Sequence, residues 1–493
     1  MIQFRPMRIS AAMISRGTAA LLLFLAGNTC FSQTPAPLGQ GTPVTGQCQG
    51  HTTQPGCVIP NLFGPTGLSL FAQGAFPHYA HFIGAAQDTL NQSLSTSIAT
   101  QLAILPIISP ASGFTYKYDS AAGAFVRSTT SFGPIYTERA ETIGRGKVSF
   151  GVSYQRFRFN SLDGVNLHNV PAVFSHLPEQ PFQTFEADVI KTTNNIDLNM
   201  DQTMLYGTVG LTDRLDVSVA LPIVSVRMGA SSNALIERVS GPTFVLAGTN
   251  TTFPNPHQFT ADPNSLTNTY TSTGSASGLG DVTFRIKGNV LRSGSVGVAL
   301  ALDVRTPTGD ARQFLGSGAT GIKPFVAVSL LGRRFSPHLN FGYQWNGDSI
   351  LAGNLTGTTF GEDSAGNATV LNGPSVKGSL PGVLFYSAGA DYGATRSLTL
   401  VFDYLGQTLF NSPRVFETTT TTLNIPGGTG ALTLPTISGG RDDVGLNSGA
   451  VGFKYNLFGK LLLTADVLFR LDNKGLRQDV TPLIALSYAF GGQ

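Results

Sequence analysis

SGLGDVTFRIKGNVLRSGSVGVALALDVRTPTGD, from Ser277 to Asp310, decides the fold. In its first arm Val282, Phe284 and Ile286 alternate with Asp281, Thr283, Arg285 and Lys287. In its second arm Val296, Val298, Leu300, Leu302 and Val304 alternate with Gly297, Ala299, Ala301, Asp303 and Arg305. A period of two is that of an extended chain with two unlike faces. One face is continuously apolar and the other gathers small and charged residues, the pattern of a hairpin in a membrane-spanning β-barrel.

The same alternation predicts twelve strands: Lys147–Asn160, Asn195–Gly210, Leu215–Ala230, Gly280–Leu291, Val296–Arg305, Lys323–Leu331, His338–Trp345, Gly382–Gly393, Leu398–Phe410, Asp443–Asn456, Lys460–Leu471 and Thr481–Phe490. Their connections alternate between long and short throughout. Short ones such as Leu211–Arg214, Arg292–Ser295 and Leu457–Gly459 separate long ones such as Ser231–Leu279, Asn346–Pro381 and Asn411–Asp442. Tight turns on one side and long loops on the other describe an up-and-down transmembrane barrel. A soluble sandwich has no reason to keep that parity. The fold class is therefore all-β, a transmembrane antiparallel up-and-down barrel of about 12 strands over 147–493. The alternative is 14, if a hairpin in Gly113–Thr129 joins the wall.

Composition agrees. Charged residues are 12% of the chain, against a usual ~25%. There are 58 glycines, and apolar content is too high for general disorder. The net charge of +3 and the lack of a Lys/Arg cluster argue against nucleic acid as a partner. Aromatics near strand ends, among them Tyr154, Tyr343, Trp345, Tyr455, Tyr488 and Phe490, suit interfacial girdles.

Ahead of the barrel, Arg5, Arg8 and Arg16 precede the apolar run Ala19–Gly27, so residues 1–32 read as a signal peptide cut after Ser32. Residues 33–60 read as a flexible linker, within which Cys48 and Cys57 are a candidate disulfide. Residues 61–146 form an N-terminal segment on the periplasmic side. Leu90, Leu94, Ile98 and Leu102 give it an amphipathic helix ending near Pro106. That helix is either a packing face or a plug entering from below.

Catalytic motifs are scarce. There is no GxSxG, HExxH or phosphate-binding GK[ST] loop, and the seven histidines form no defensible set with a serine and an acid. No catalytic residue, cofactor or metal is expected. The residues to single out are charges on the polar register: Asp216, Arg285, Lys287, Asp303, Arg305, Asp403, Asp466 and Arg470. Facing lipid, an Arg or Lys costs ~2–4 kcal/mol at mid-membrane. They are therefore candidate lumen-lining residues, either paired across strands or setting selectivity.

SGLGDVTFRIKGNV, DVRTPTGD (Asp303–Asp310), GSGATGIKPFVAVSLLG, HLNFGYQWNGD at His338 and the stretch from Asp443 to Phe490 resemble the outer-membrane "meta-pathway of phenol degradation" family, relatives of long-chain fatty-acid channels. The resemblance implies a channel in the outer membrane of a Gram-negative-type bacterium, passing small hydrophobic or aromatic solutes by passive diffusion. Its partners would be outer-membrane lipid, the barrel-assembly machinery and a small apolar solute. An outer-membrane lipase or protease, and a structural or adhesive β-protein, stay open as alternatives. GLGD and PTGD are expected at the external mouth, as architecture before ligand contact.

Overall fold

The computed structural model describes Cys48, most of 51–109, the strands within 116–127, and 131–490 apart from 177–186, 246–250, 355–357, 363–367, 373–375 and 423–428. The expected signal peptide, 1–32, and most of the expected linker, 33–60, lie outside the described residues.

Twelve antiparallel strands close a barrel: β1 (Val148–Phe159), β2 (Val189–Thr212), β3 (Leu215–Glu237), β4 (Thr283–Ser293), β5 (Val296–Arg305), β6 (Gly321–Leu330), β7 (Phe335–Asn346), β8 (Gly382–Gly393), β9 (Leu398–Thr421), β10 (Thr433–Phe458), β11 (Leu461–Arg470) and β12 (Val480–Phe490). Each pairs with its neighbours in sequence, and β12 closes on β1 from Phe490↔Val148 to Leu483↔Gln155. The Tyr116–Asp119 and Ala124–Arg127 strands pair with each other and do not enter the wall, so the 14-strand alternative is not realised.

Side-chain orientation follows the parity rule. In β4 and β5, Phe284, Ile286 and Leu300 face outward and are about half exposed, while Arg285, Lys287, Asp303 and Arg305 are buried inside. Every strand of the ring contributes large apolar side chains to the outer surface, for example Phe150, Ile223, Ile322, Phe341, Tyr392, Phe402, Val451, Val467 and Ile484. In water such a coat would be a severe aggregation liability; against acyl chains it is the required face. Closure leaves the ring without an edge, so the ladder satisfies its backbone polar groups.

Length separates two kinds of strand. β4, β5 and β6 have 11, 10 and 10 residues, which suits a tilted membrane crossing. The paired β2 and β3 have 24 and 23 residues, and β9 and β10 have 24 and 26. At about 3.3 Å per residue the long strands run on the order of 80 Å, far more than an apolar band requires. Their excess stands beyond the wall at the long-loop end. There Val170–His176 pairs with the outer half of β2, and Thr267–Leu279 with the outer half of β3.

The N-terminal residues depart from expectation in their side. The helix α1 (Ala85–Ile104) packs at the long-loop end, not the short-turn end. Leu90, Leu94, Ile98 and Leu102 share a core with Phe174, Ile190, Leu351, Val415, Ile437 and Val444 on the projecting hairpins and loops. The reason is physical: the projecting hairpins offer an apolar face that can bury the helix stripe, and the tight turns offer none. The described part of the expected linker is also folded. Cys48 is bridged to Cys57, Pro55–Cys57 forms a 3₁₀ turn, and Val58 and Ile59 are buried. Phe63 there meets Phe174 and Tyr270 edge to face, at 5.3 and 5.0 Å between ring centroids.

GLGD and PTGD interlock at this same end. The Asp281 carboxylate accepts from Gly309 N (3.1 Å), Ser317 N (2.8 Å) and Ser317 Oγ (2.6 Å). Thr308 Oγ1 accepts from Val282 N and donates to the Gly280 carbonyl. Asp310 accepts from Arg312 N across the following turn. The motifs hold two long loops together.

Candidate functional site: the lumenal chamber

From the C-terminus of α1 the chain turns into the barrel mouth, and after the residues that follow it fills the lower lumen. Ser131–Ile143 is buried, and Gly146 N donates to the Gly210 carbonyl at the short-turn end (2.8 Å) before β1 begins. The approach is so close that a Cβ on Gly210 would lie 1.9 Å from the Gly144 oxygen. This run has no ladder of its own, so the wall must satisfy its polar backbone groups. Phe132 N donates to Thr399 Oγ1, and Ile135 N and Tyr136 N to Asp403 Oδ2 (3.1 and 3.0 Å). Glu138 exchanges two bonds with Asn340. Ala140 N donates to Ser329 Oγ and its carbonyl accepts from Asn289, while Ile143 N donates to Asp216 Oδ2. Lys454 Nζ donates to the Pro134 carbonyl.

Glu138 is the electrostatic centre of this floor. Its carboxylate meets Lys287 Nζ at 2.8 Å and also Arg285 Nη1. Burial pushes its carboxyl pKa up, but Lys287 and Arg285 outweigh that and hold it below the ordinary value. Arg285 also grips Asp303 with both ends of its fork, at 2.6 and 2.8 Å.

Above the floor lies a chamber of ≈ 130 Å³. Tyr136 and Glu138 form its base, and Leu102–Ile107 its ceiling. Gln344 Nε2 and Gln407 Nε2 donate to the Ala103 and Ile104 carbonyls, at 2.9 and 3.3 Å, and so hang the ceiling from the wall. Phe325 and Phe385 meet edge to face in the wall, centroids 5.8 Å apart. Lys323 Nζ lies 5.0 Å from the Phe385 centroid and 3.0 Å from Asp303.

Of the charges singled out from the sequence, Asp216, Arg285, Lys287, Asp303, Arg305, Asp403 and Asp466 are buried inside the barrel. Arg470 is not part of that group. It ends β11 at the rim, partly exposed, and ties Asp479 (2.6 Å) to Ser161 (2.9 Å). Glu138, Asp281, Lys323, Asp391 and Lys454 also belong to the inner set and were not singled out. Strand parity alone would have found Lys323, Asp391 and Lys454; Glu138 lies outside any strand and carries no such signal.

One arrangement contrasts with the lack of a catalytic set in the sequence. His338 Nδ1 is 2.8 Å from Ser329 Oγ, and His338 Nε2 is 2.5 Å from Asp391 Oδ1. All three side chains are buried, and Ser329 Oγ already accepts the Ala140 amide. With no open space at the hydroxyl, the chain of bonds serves as an anchor for the floor.

No curated protein matches the sequence. Among solved structures, the chain is similar to an outer membrane channel from Pseudomonas putida F1 (14% identity, 71% of this chain and 98% of that one, TM-score 0.39). It is also similar to the Ralstonia pickettii toluene transporter TbuX (11% identity, 79% and 100%, TM-score 0.32). A third is a Pseudomonas aeruginosa FadL homologue (10% identity, 78% and 98%, TM-score 0.30). All three scores are below 0.5, so the functional reading rests on this chain's own residues. Over residues 189–374, from the start of β2 into the loop between β7 and β8, the chain matches the family described as "Putative MetA-pathway of phenol degradation", the family its motifs resemble.

Proposed function

We propose that the protein is an outer-membrane channel that passes small, largely apolar solutes by passive diffusion. The observation that carries this reading is a closed barrel, apolar outside, that encloses a chamber between a fixed floor and a lightly held ceiling. The long-loop end faces outward, as tight turns on the inner side require. Solutes enter past the α1 cap, shed water against apolar side chains including Phe325, Phe385 and Leu405, and leave when part of the Ser131–Gly146 floor shifts. The wall carries both signs of charge, which argues against a wide aqueous pore for ions.

Swelling of proteoliposomes in phenol, a sugar and a short fatty acid tests this. Phenol is expected to enter and the sugar to be excluded. A variant lacking residues 33–130, and with them the ceiling, is expected to swell faster in phenol. If neither protein admits any solute, the channel reading fails.

A further inference from the structure

Among the described residues, Arg305 is the one cation lining the chamber whose donors are left over. It ends β5, is 7% exposed, and stands opposite Gly321 in the register of β5 and β6. Its Nη2 donates to the Ala319 carbonyl (3.2 Å) and Asn346 Oδ1 (3.0 Å). Its Nε and Nη1 have no hydrogen-bond partner. The nearest carboxylate, Asp281, lies 3.7 Å from Nε, and its oxygens are taken by Gly309 and Ser317. The charges nearest to it in the lining are paired. Glu138 is shared by Lys287 and Arg285, and Asp303 by Arg285 and Lys323. The charged lining is three cations, Arg285, Arg305 and Lys323, against three carboxylates, Glu138, Asp281 and Asp303, and the idle donors are at Arg305. A buried guanidinium with two idle donors is costly, because each buried donor without an acceptor forfeits its solvation. Gly321 is part of the arrangement: a Cβ there would sit 2.9 Å from Arg305 Nη2.

The same chamber offers an apolar surface next to this charge. Lys323, diagonal to Arg305 across β5 and β6, lies over the Phe325–Phe385 pair. We infer that the chamber selects small amphiphilic monoanions, an aromatic ring bearing a carboxylate, with a carboxylate oxygen on the idle Arg305 Nη1 and the ring against Phe325 and Phe385. This rests on the channel reading above and names its solute class. A carboxylate supplies the missing acceptor, which a neutral hydrocarbon does not. Nε is on the side of Asp281, so Nη1 is the donor left for a carboxylate oxygen, and an Arg keeps its charge at any working pH.

The test separates binding from transport. Benzoate and benzyl alcohol, of similar size and differing in charge, are titrated into the full chain in detergent by calorimetry, and their flux is followed in proteoliposomes. Benzoate is expected to bind at least about tenfold tighter than benzyl alcohol, to lose that advantage in Arg305→Gln, and to recover part of it in Arg305→Lys. Heat-modifiable gel migration confirms that each variant keeps its barrel. Equal binding of the two solutes by the native protein overturns the anion inference without any variant, as does unchanged benzoate binding in a folded Arg305→Gln. Benzoate binding without flux of either solute leaves the anion site standing and overturns the channel reading.

Discussion

The floor and the ceiling of the chamber are both N-terminal chain inside a barrel, and they are held in opposite ways. The floor is tied to at least six strands by buried side chains that take its amides and carbonyls, with a carboxylate between two cations at its centre. The ceiling hangs on two neutral glutamine bonds and the end of a helix whose partners lie outside the membrane. The lesson is that a short piece of irregular chain survives in a membrane lumen only when the wall supplies its hydrogen bonds. Where the wall supplies few, the chain is poised to move. Gating is therefore expected to begin at the ceiling.

The largest effect is expected at Glu138. Glu138→Ala removes the shared partner of two buried cations, and losing one member of such a set costs ~3–5 kcal/mol. A lower urea midpoint in the gel-shift assay, together with leak through the lumen, would register it. Asp403→Ala leaves the Ile135 and Tyr136 amides without their acceptor. A loss of about 1–3 kcal/mol is expected by the same assay. A midpoint equal to that of the native protein in both variants would break the distinction between floor and ceiling.

The pH dependence sharpens it. Lys287 and Arg285 hold the folded Glu138 carboxyl below its ordinary value despite burial. A depressed carboxyl contributes stability that is present above the unfolded value, about 4.3, and is lost as pH falls through the folded one. The part of the floor's stability that Glu138 supplies is thus expected to hold from pH 5 to 8 and to fall only in stronger acid. A rise in leak centred near neutral pH would assign the floor to some other group. The smallest effect is expected at the ceiling. Gln344→Ala with Gln407→Ala removes two bonds of about 1 kcal/mol each. Phenol flux should increase while the unfolding midpoint barely moves. Destabilisation as large as that of Glu138→Ala would mean the ceiling is as firmly fixed as the floor.

Much of this architecture was legible in the sequence because a barrel strand writes its two environments into alternate residues. Ile286 outside and Lys287 inside follow from parity alone, and so do the inward positions of Lys323 and Lys454. The interlock of GLGD with PTGD was legible as loop architecture, though not as a carboxylate accepting three bonds. The helix stripe of Leu90, Leu94, Ile98 and Leu102 was legible as well. Its location was not, because an apolar stripe states that it needs a partner without stating which.

The sequence by itself determined the strand count, the strand order and the face each side chain takes. These depend on local periodicity and on the lengths of the connections, and every strand pairs with its neighbour in the chain. Only the tertiary structure decided that α1 caps the long-loop end, that Ser131–Gly146 lies across the lumen, and that Glu138 is shared by Arg285 and Lys287 while Arg305 keeps two idle donors. Those outcomes join residues about 150 positions apart and more, and no pattern along the chain records which buried group will meet which partner once the ring has closed.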